Sequence, residues 1–371
     1  MRSGAIKATT LVALVLGLFL ASVPTSGAAG ASRRTSPHQF GIDTYFVYNC
    51  QSQTLIDKWA TTQVDDFKAL GANSIGIGFP LYTDTLTSND VYAKLQCNNS
   101  GNTSPYQTPP PLVLASVIQI AHNAGLKVLL RPLLDQQNLY AQNSNWWRGV
   151  LAPTNPQEWI NNYLTTLRPY LLVAQDTKTQ YFAIETELDS LGDAQFWPAA
   201  LALSHSIYKG SIVFNYSWGD PEGKKVAHPG TSMGIDTYPK TTALPNATVE
   251  QLLAQWNYLL RTAYEFRVPN LQKVAINEIG ISAQDGMYTQ PQRAGAPLSQ
   301  YPYNQAIQAN WFEAACAFSE QHKLQGIYYW GPWLTSYAGA LPKQPLTELP
   351  TDIQPAGAIA IKKCFRSRAW Q

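Results

Sequence analysis

The chain has 371 residues, of which 13% are charged and 12% aromatic, whereas about 25% of an ordinary globular domain is charged. Its net charge of +2 comes without any Lys/Arg cluster interleaved with aromatics, which excludes the electrostatic footprint of a nucleic-acid or acidic-membrane binder. The five histidines (38, 122, 205, 228 and 322) lack ligand spacing, so no metal or other cofactor is expected, and 11 Trp and 20 Tyr suit a neutral, ring-shaped ligand.

In chain order, Arg2 and Lys7 precede an apolar run from Leu11 to Val23 and an Ala29-Gly30-Ala31 triplet, the pattern of a secretory signal peptide over residues 1–31. The run is shorter than the ~20 residues that span a bilayer. A mature, secreted, extracellular chain starting near Ser32, with no membrane association after cleavage and a monomeric state, is the expectation. Residues 32–371 exceed the usual single core, but barrels of alternating strands and helices reach this length as one domain.

Eight near-continuous apolar segments then follow: Phe40–Phe46, Ser74–Tyr82, Lys127–Asp135, Tyr181–Leu188, Ser211–Trp218, Ser232–Pro239, Lys273–Ser282 and Gly326–Trp333. Such runs mark strands buried on both faces, as in a parallel sheet covered by helices. Helical patterns separate them: Trp59, Val64, Phe67 and Leu70 before Gly71; Leu112–Ala124 before Gly125; a start at Asn155-Pro156; Phe196–Lys209; Thr248–Phe266; and Asn304–Lys323. The order predicts an α/β fold, a single-domain (β/α)8 TIM barrel. The connection from Trp218 to Thr231 is short and loop-like, Asp84–Pro111 reads as a long loop on the active face, and the Pro-rich stretch 341–350 as a surface loop. Four cysteines in an exported chain predict disulfides; of three connectivities, Cys50–Cys97 with Cys316–Cys364 is favoured. Asn98, Asn102, Asn215 and Asn246 each open an Asn-x-Ser/Thr triplet, relevant only in a glycosylating host.

Two strands end in glutamate, Glu187 and Glu278, and in a parallel barrel both meet at the C-terminal mouth. A retaining glycosidase needs such a pair, one carboxylate to attack the anomeric carbon and one acid to protonate the leaving oxygen, about 5–5.5 Å apart. Alternation puts Glu185 one layer beneath Glu187, where a charge needs a partner such as Arg131, and puts Glu278 after Val274 and Ile276 in an inward series. The competing interpretation is a pair of buried structural acids. Trp147 and Trp218, set among polar residues, are the preferred sugar-stacking candidates, with Tyr45, Tyr82, Trp146 and Trp333 behind them; Asp43, Asp135 and Asp236 are candidate hydroxyl binders.

Gly71-Ala72-Asn73, Gly125-Leu126-Lys127-Val128 leading to Arg131-Pro132, Thr186-Glu187-Leu188-Asp189-Ser190, Gly234-Ile235-Asp236-Thr237-Tyr238-Pro239, Asn277-Glu278-Ile279-Gly280 and Trp330-Gly331-Pro332-Trp333 follow one another in the order of a known group. In these segments the chain resembles clan A of the glycoside hydrolases, and within it family 113, known chiefly for β-mannanases. The resemblance implies a retaining hydrolase of β-linked polysaccharide or oligosaccharide, mannan or a related hemicellulose first, with Glu187 as acid/base and Glu278 as nucleophile. It also implies that Tyr238 hydrogen-bonds the nucleophile and Trp330 floors the sugar subsite. The family more often has Gly in place of Glu185 and Lys-Pro-His in place of Arg131-Pro132-Leu133. An exo-acting enzyme of the same clan, a non-catalytic carbohydrate-binding barrel and a metal-dependent hydrolase are the alternatives.

Overall fold

A computed structural model describes residues 38–96, 107–135, 137–218, 228–262, 271–293, 301–335 and 352–370. Eight strands, β1 (Gln39–Tyr45), β2 (Ser74–Leu81), β3 (Lys127–Leu134), β4 (Tyr181–Thr186), β5 (Ser211–Ser217), β6 (Ser232–Asp236), β7 (Val274–Ile279) and β8 (Gly326–Trp330), close into one parallel barrel in sequence order. Helices α1 (Gln53–Leu70), α2 (Pro111–Asn123), α3 (Gln137–Gln142), α4 (Pro156–Asp176), α5 (Trp197–Ile207), α6 (Val249–Thr262), α7 (Gln305–Gln321) and α8 (Pro355–Phe365) accompany it. This is the predicted (β/α)8 barrel. Between β5 and β6 the described residues hold no helix, and residues 219–227 lie outside them. The signal-peptide segment 1–31 and the Pro-rich stretch 341–350 also fall outside the described residues.

Local chemistry sets the helix starts. Ser52, Asn155 and Asn304 accept backbone N–H groups in the first turns of α1, α4 and α7, and Pro156 occupies a position where no donor is needed. Strand periodicity then divides the molecule into two layers. Ile42, Ile75, Ile77, Val128, Leu130, Phe182, Ile184, Ile212, Phe214, Ile276 and Ile327 face the helices and join one large core. Leu129, Ala183, Val213 and Tyr328, each the third residue of its strand, form a separate plug inside the barrel.

Above the plug the interior turns polar, with Asp43, Arg131, Asn215, Asp236 and Asn277 all buried. Facing strands make room for these side chains with glycine. A Cβ on Gly76 would stand 1.7 Å from the Asp43 Oδ1, and one on Gly234 would stand 1.9 Å from the Asn277 Nδ2 and 2.3 Å from the Asn215 Oδ1.

Two register slips re-aim the strand ends. β7 departs from the expected alternation: Ile276 packs outward, while Ala275 and Asn277 line the inner wall. Glu278 reaches the barrel mouth because the ladder shifts on both sides of it, pairing Asp236 with Glu278 and then Ile279 with Tyr329. In β4 the register shifts between Ala183 and Glu185, so Glu185 aligns with Phe214 and does not stack beneath Glu187. Arg131 is not its partner either. Its two oxygens accept the backbone N–H groups of Leu188 at 2.5 Å and Asn215 at 2.9 Å.

Cys316 and Cys364 are joined as favoured, tying α7 to α8 across a separation of 48 residues. The expected Cys50–Cys97 bridge falls on Cys97, outside the described residues.

Candidate active site

Glu187 follows the last residue of β4 with φ 54°, a left-handed conformation that costs a non-glycine residue about 1–3 kcal/mol. The surrounding bonds over-determine it. The Glu187 N–H donates to the Asn215 carbonyl at 2.7 Å, and the Glu185 side chain receives the amides of Leu188 and Asn215 on either side. Leu188, fully buried, anchors the turn in the outer core. The Glu187 side chain projects to the mouth, where its Oε2 accepts from the Arg148 Nε at 3.0 Å.

Glu278 is held from two directions. The Tyr238 hydroxyl donates to its Oε1 at 2.6 Å, and the Arg131 Nη2 lies 2.9 Å from its Oε2. Arg131 also contacts the Asp43 Oδ2 at 3.0 Å, the Asp236 Oδ2 at 2.6 Å and the Asn277 carbonyl at 3.1 Å. Exposure separates the roles. The side chains of Arg131, Asp43 and Asp236 are 1%, 2% and 0% accessible, whereas those of Glu278 and Glu187 are 13% and 14% accessible. Only the last two carboxylates of this cluster are open to a ligand; the others lie beneath them.

Burial is the largest influence on these charges. It pushes Glu187 above the usual carboxylate range; Arg148 pulls the other way, and Glu278 and Asp189 add to the rise. Asp43 and Asp236 are raised well above their ordinary value by burial and by the Glu278 charge, which outweigh Arg131. Burial acts against the charge of Arg131, but Asp236, Asp43 and Glu278 together hold the guanidinium charged, with its pKa above the ordinary value. Burial and Glu278 likewise keep the Tyr238 hydroxyl protonated, as a donor.

Of the aromatic candidates, Trp330 is half-buried at the end of β8 and packs with Tyr45, Val47 and Leu133. The Tyr45 hydroxyl donates to the Asp135 Oδ2 at 3.0 Å, and its ring meets Trp333 edge-on at 5.5 Å. Trp147 is half-buried beside Arg148, its ring lying across Gly149. Trp218 is not brought to the mouth: 4% accessible, it packs outside the barrel with Ile235, Val274 and the Trp256 ring of α6. Asp43 and Arg131 sit below the open carboxylates, where they position Glu278 and have little surface for a ligand. Arg148 is the group that sequence reasoning passed over; it lies in a loop without periodicity, and only its place in Asn145-Trp146-Trp147-Arg148 set it apart.

Two accessible carboxylates at the ends of β4 and β7, each held by an arginine and with an aromatic wall beside them, can carry out paired acid and nucleophile chemistry. The sequence profile of Glycoside Hydrolase Family 113 matches residues 44–343. The chain belongs to glycoside hydrolase family 113. Among solved structures, it is similar to a family 113 β-1,4-mannanase at 15% identity and a TM-score of 0.68, covering 89% of this chain and 100% of that one. A family 113 β-mannanase from Alicyclobacillus acidocaldarius in complex with ManMIm superposes at 17% identity and a TM-score of 0.66, over 88% and 97% of the two chains. A hyperthermostable endo-1,4-β-D-mannanase from Thermotoga petrophila RKU-1 follows at 14% identity and 0.51, over 89% and 99%. No curated protein sequence matches the chain significantly. This family 113 protein is a glycoside hydrolase. Among its described residues no helix is long and apolar enough to cross a membrane, and no group of three His, Cys, Asp or Glu side chains is placed to hold a metal ion.

Proposed function

We propose that this protein is a secreted, retaining hydrolase of β-linked mannan or a related hemicellulose. The observation that carries the reading is the contrast between its two open carboxylates. Glu278 receives two donors, the Tyr238 hydroxyl and the Arg131 guanidinium, which fix and aim its oxygens, as suits a nucleophile. Glu187 is driven toward its protonated form by burial and by the Glu278 charge, as suits a general acid.

In the first step a Glu278 oxygen bonds the anomeric carbon as the glycosidic bond breaks, and the Glu187 proton passes to the leaving oxygen. Forming the glycosyl ester removes the Glu278 charge. Glu187 then takes a proton from water, whose oxygen displaces Glu278 from the sugar. Trp330 floors the subsite from the end of β8, while Trp147 lies where it can border the leaving-group side next to Arg148. Arg131, Asp43 and Asp236 orient Glu278 from below. Mannan is favoured because the family 113 structures described above are β-mannanases; the disulfide between α7 and α8 fits an oxidising, extracellular location.

The test is reducing-end release from a panel of β-mannans, glucans, xylans, galactans and arabinans by the wild type and by Glu278→Ala. Activity on mannan that vanishes in the variant, with products of unchanged anomeric configuration, is the expected result. Silence across the panel with retained glycan binding would instead make the protein a binding barrel, and activity surviving in Glu278→Ala would remove the nucleophile assignment.

A further inference from the structure

Arg148 does something the paired-carboxylate scheme does not require: it places a permanent positive charge on one oxygen of Glu187. We infer that Arg148 is a positioning residue for the proton-transfer step, holding the Glu187 Oε2 as a fixed acceptor so that Oε1 is the atom that gives and takes the proton. This rests on the reading of Glu187 as acid/base.

The geometry is that of a built contact. The Arg148 Nε donates to Oε2 at 3.0 Å while its Nη1 donates to the Leu134 carbonyl at 2.9 Å, so the guanidinium is tethered to the end of β3 and to the residue after β4 at once. It is only 12% accessible. The loop that delivers it is fastened on both sides. The Ser190 hydroxyl, just past Glu187, donates to the Leu151 carbonyl at 2.7 Å. The amides of Ala152 and Thr154 donate to the carbonyls of Leu86 and Thr87. Within the loop a Cβ on residue 149 would stand 2.2 Å from the Trp147 ring, so Gly149 makes room for that ring beside the arginine in the chain.

When the glycosidic bond breaks, the proton on Oε1 moves to the departing oxygen, and the carboxylate left behind is already paired on Oε2. When water attacks, its proton returns to Oε1. Arg148 stays charged throughout. The charged and titratable groups around Glu187 are Arg148, Glu278, Asp189, Arg131, Glu185, Asp236 and Tyr238, and those facing Arg148 are Glu187, Glu278 and Tyr45. Removing the positive charge leaves burial and the neighbouring carboxylates opposed only by the weaker pull of Arg131, so Glu187 keeps its proton to higher pH and becomes a poorer donor.

The experiment compares the wild type, Arg148→Ala, Arg148→Lys and Glu187→Ala on two substrates: mannohexaose, whose leaving sugar needs a proton, and 2,4-dinitrophenyl β-mannobioside, whose leaving phenolate does not. For Arg148→Ala we expect kcat/KM on mannohexaose to fall about tenfold or more, with the activated glycoside cleaved at near wild-type kcat/KM. We also expect the basic limb of the kcat/KM profile on mannohexaose to move to higher pH with the acidic limb unmoved, partial rescue by added guanidinium ion, and an intermediate loss in Arg148→Lys. Equal losses on both substrates with an unshifted basic limb, or no loss on either, would overturn the inference. A misfolded Arg148→Ala protein would lose both substrates alike without rescue, and the Arg148→Lys profile then decides the point. If Glu187→Ala itself fails to distinguish the two substrates, the acid/base assignment is what has failed, independently of Arg148.

Discussion

Replacing Arg131 with Met tests whether the polar layer beneath the site is held by charge or by shape. Methionine keeps much of the apolar stem but removes the cation that contacts Asp43, Asp236 and Glu278 at 2.6–3.0 Å, and it leaves the Asn277 carbonyl without its 3.1 Å donor. Breaking one partner out of a buried ion pair costs about 3–5 kcal/mol, a large share of the ~5–15 kcal/mol that stabilises a typical domain. The cost should depend on pH with a definite sign. Asp43 and Asp236 are already raised by burial, and without the arginine the cluster holds at least one further proton in the folded state that the unfolded chain releases. A folded state that binds one more proton loses about 1.4 kcal/mol of stability per pH unit as pH rises above the unfolded carboxylate value of ~4. Urea unfolding of the wild type and Arg131→Met between about pH 5 and about pH 8 should therefore show a deficit that widens with pH, by ~1.4 kcal/mol per unit for as long as the extra proton stays bound. A deficit below ~1 kcal/mol, or one that stays constant with pH, would refute the claim that uncompensated carboxylate charge is what Arg131 prevents.

Tyr238→Phe removes the 2.6 Å bond to Glu278 and little else, so kcat/KM should fall by about 10- to 100-fold with the unfolding midpoint almost unchanged; an effect confined to KM would argue that the hydroxyl serves binding. Glu185→Ala strands the buried amides of Leu188 and Asn215, at about 1–3 kcal/mol each, so a clear drop in Tm should accompany a loss of kcat as Glu187 leaves its left-handed conformation. Unchanged thermal melting in that variant would mean water replaces the carboxylate. Converting Cys316 and Cys364 to Ser should destabilise the fold by about 4 kcal/mol, from the 48-residue separation they close, while leaving the pH profile of the surviving activity as it was. A shifted profile would link α8 to the site.

Much of the architecture was legible because strands buried on both faces are written as unbroken apolar runs, and all eight runs became strands. The two glutamates were legible because each stands where such a run ends, Glu278 as the first charge after Val274–Asn277 and Glu187 two residues after Glu185. What failed was inference that relied on strict alternation. Val274 and Ile276 pointed to the wrong wall, and Glu185 was stacked under Glu187, because period two holds only where the ladder is regular and both β4 and β7 slip by a residue near their ends. Trp218 was misjudged because polar neighbours in sequence say nothing about which way a ring turns once a strand ends. Arg148 was hidden because its importance comes from a loop crossing to β4, and loops carry no period from which a contact can be read.

The triplet Asn215-Tyr216-Ser217 lies wholly within β5, with Asn215 inaccessible inside the barrel and its amide bonded to Glu185. Enzymes that attach N-glycans as a chain emerges from a translocation channel act on the nascent segment, before the sheet has closed around it. A sugar added to Asn215 at that moment could not be accommodated where a single Cβ on Gly234 would already collide. Production in a yeast or animal secretory pathway would thus divide the chain into a fraction that folds and a modified fraction that cannot, whereas the exposed Asn246 could carry a glycan harmlessly. The choice of expression host is in this respect decided by one buried asparagine.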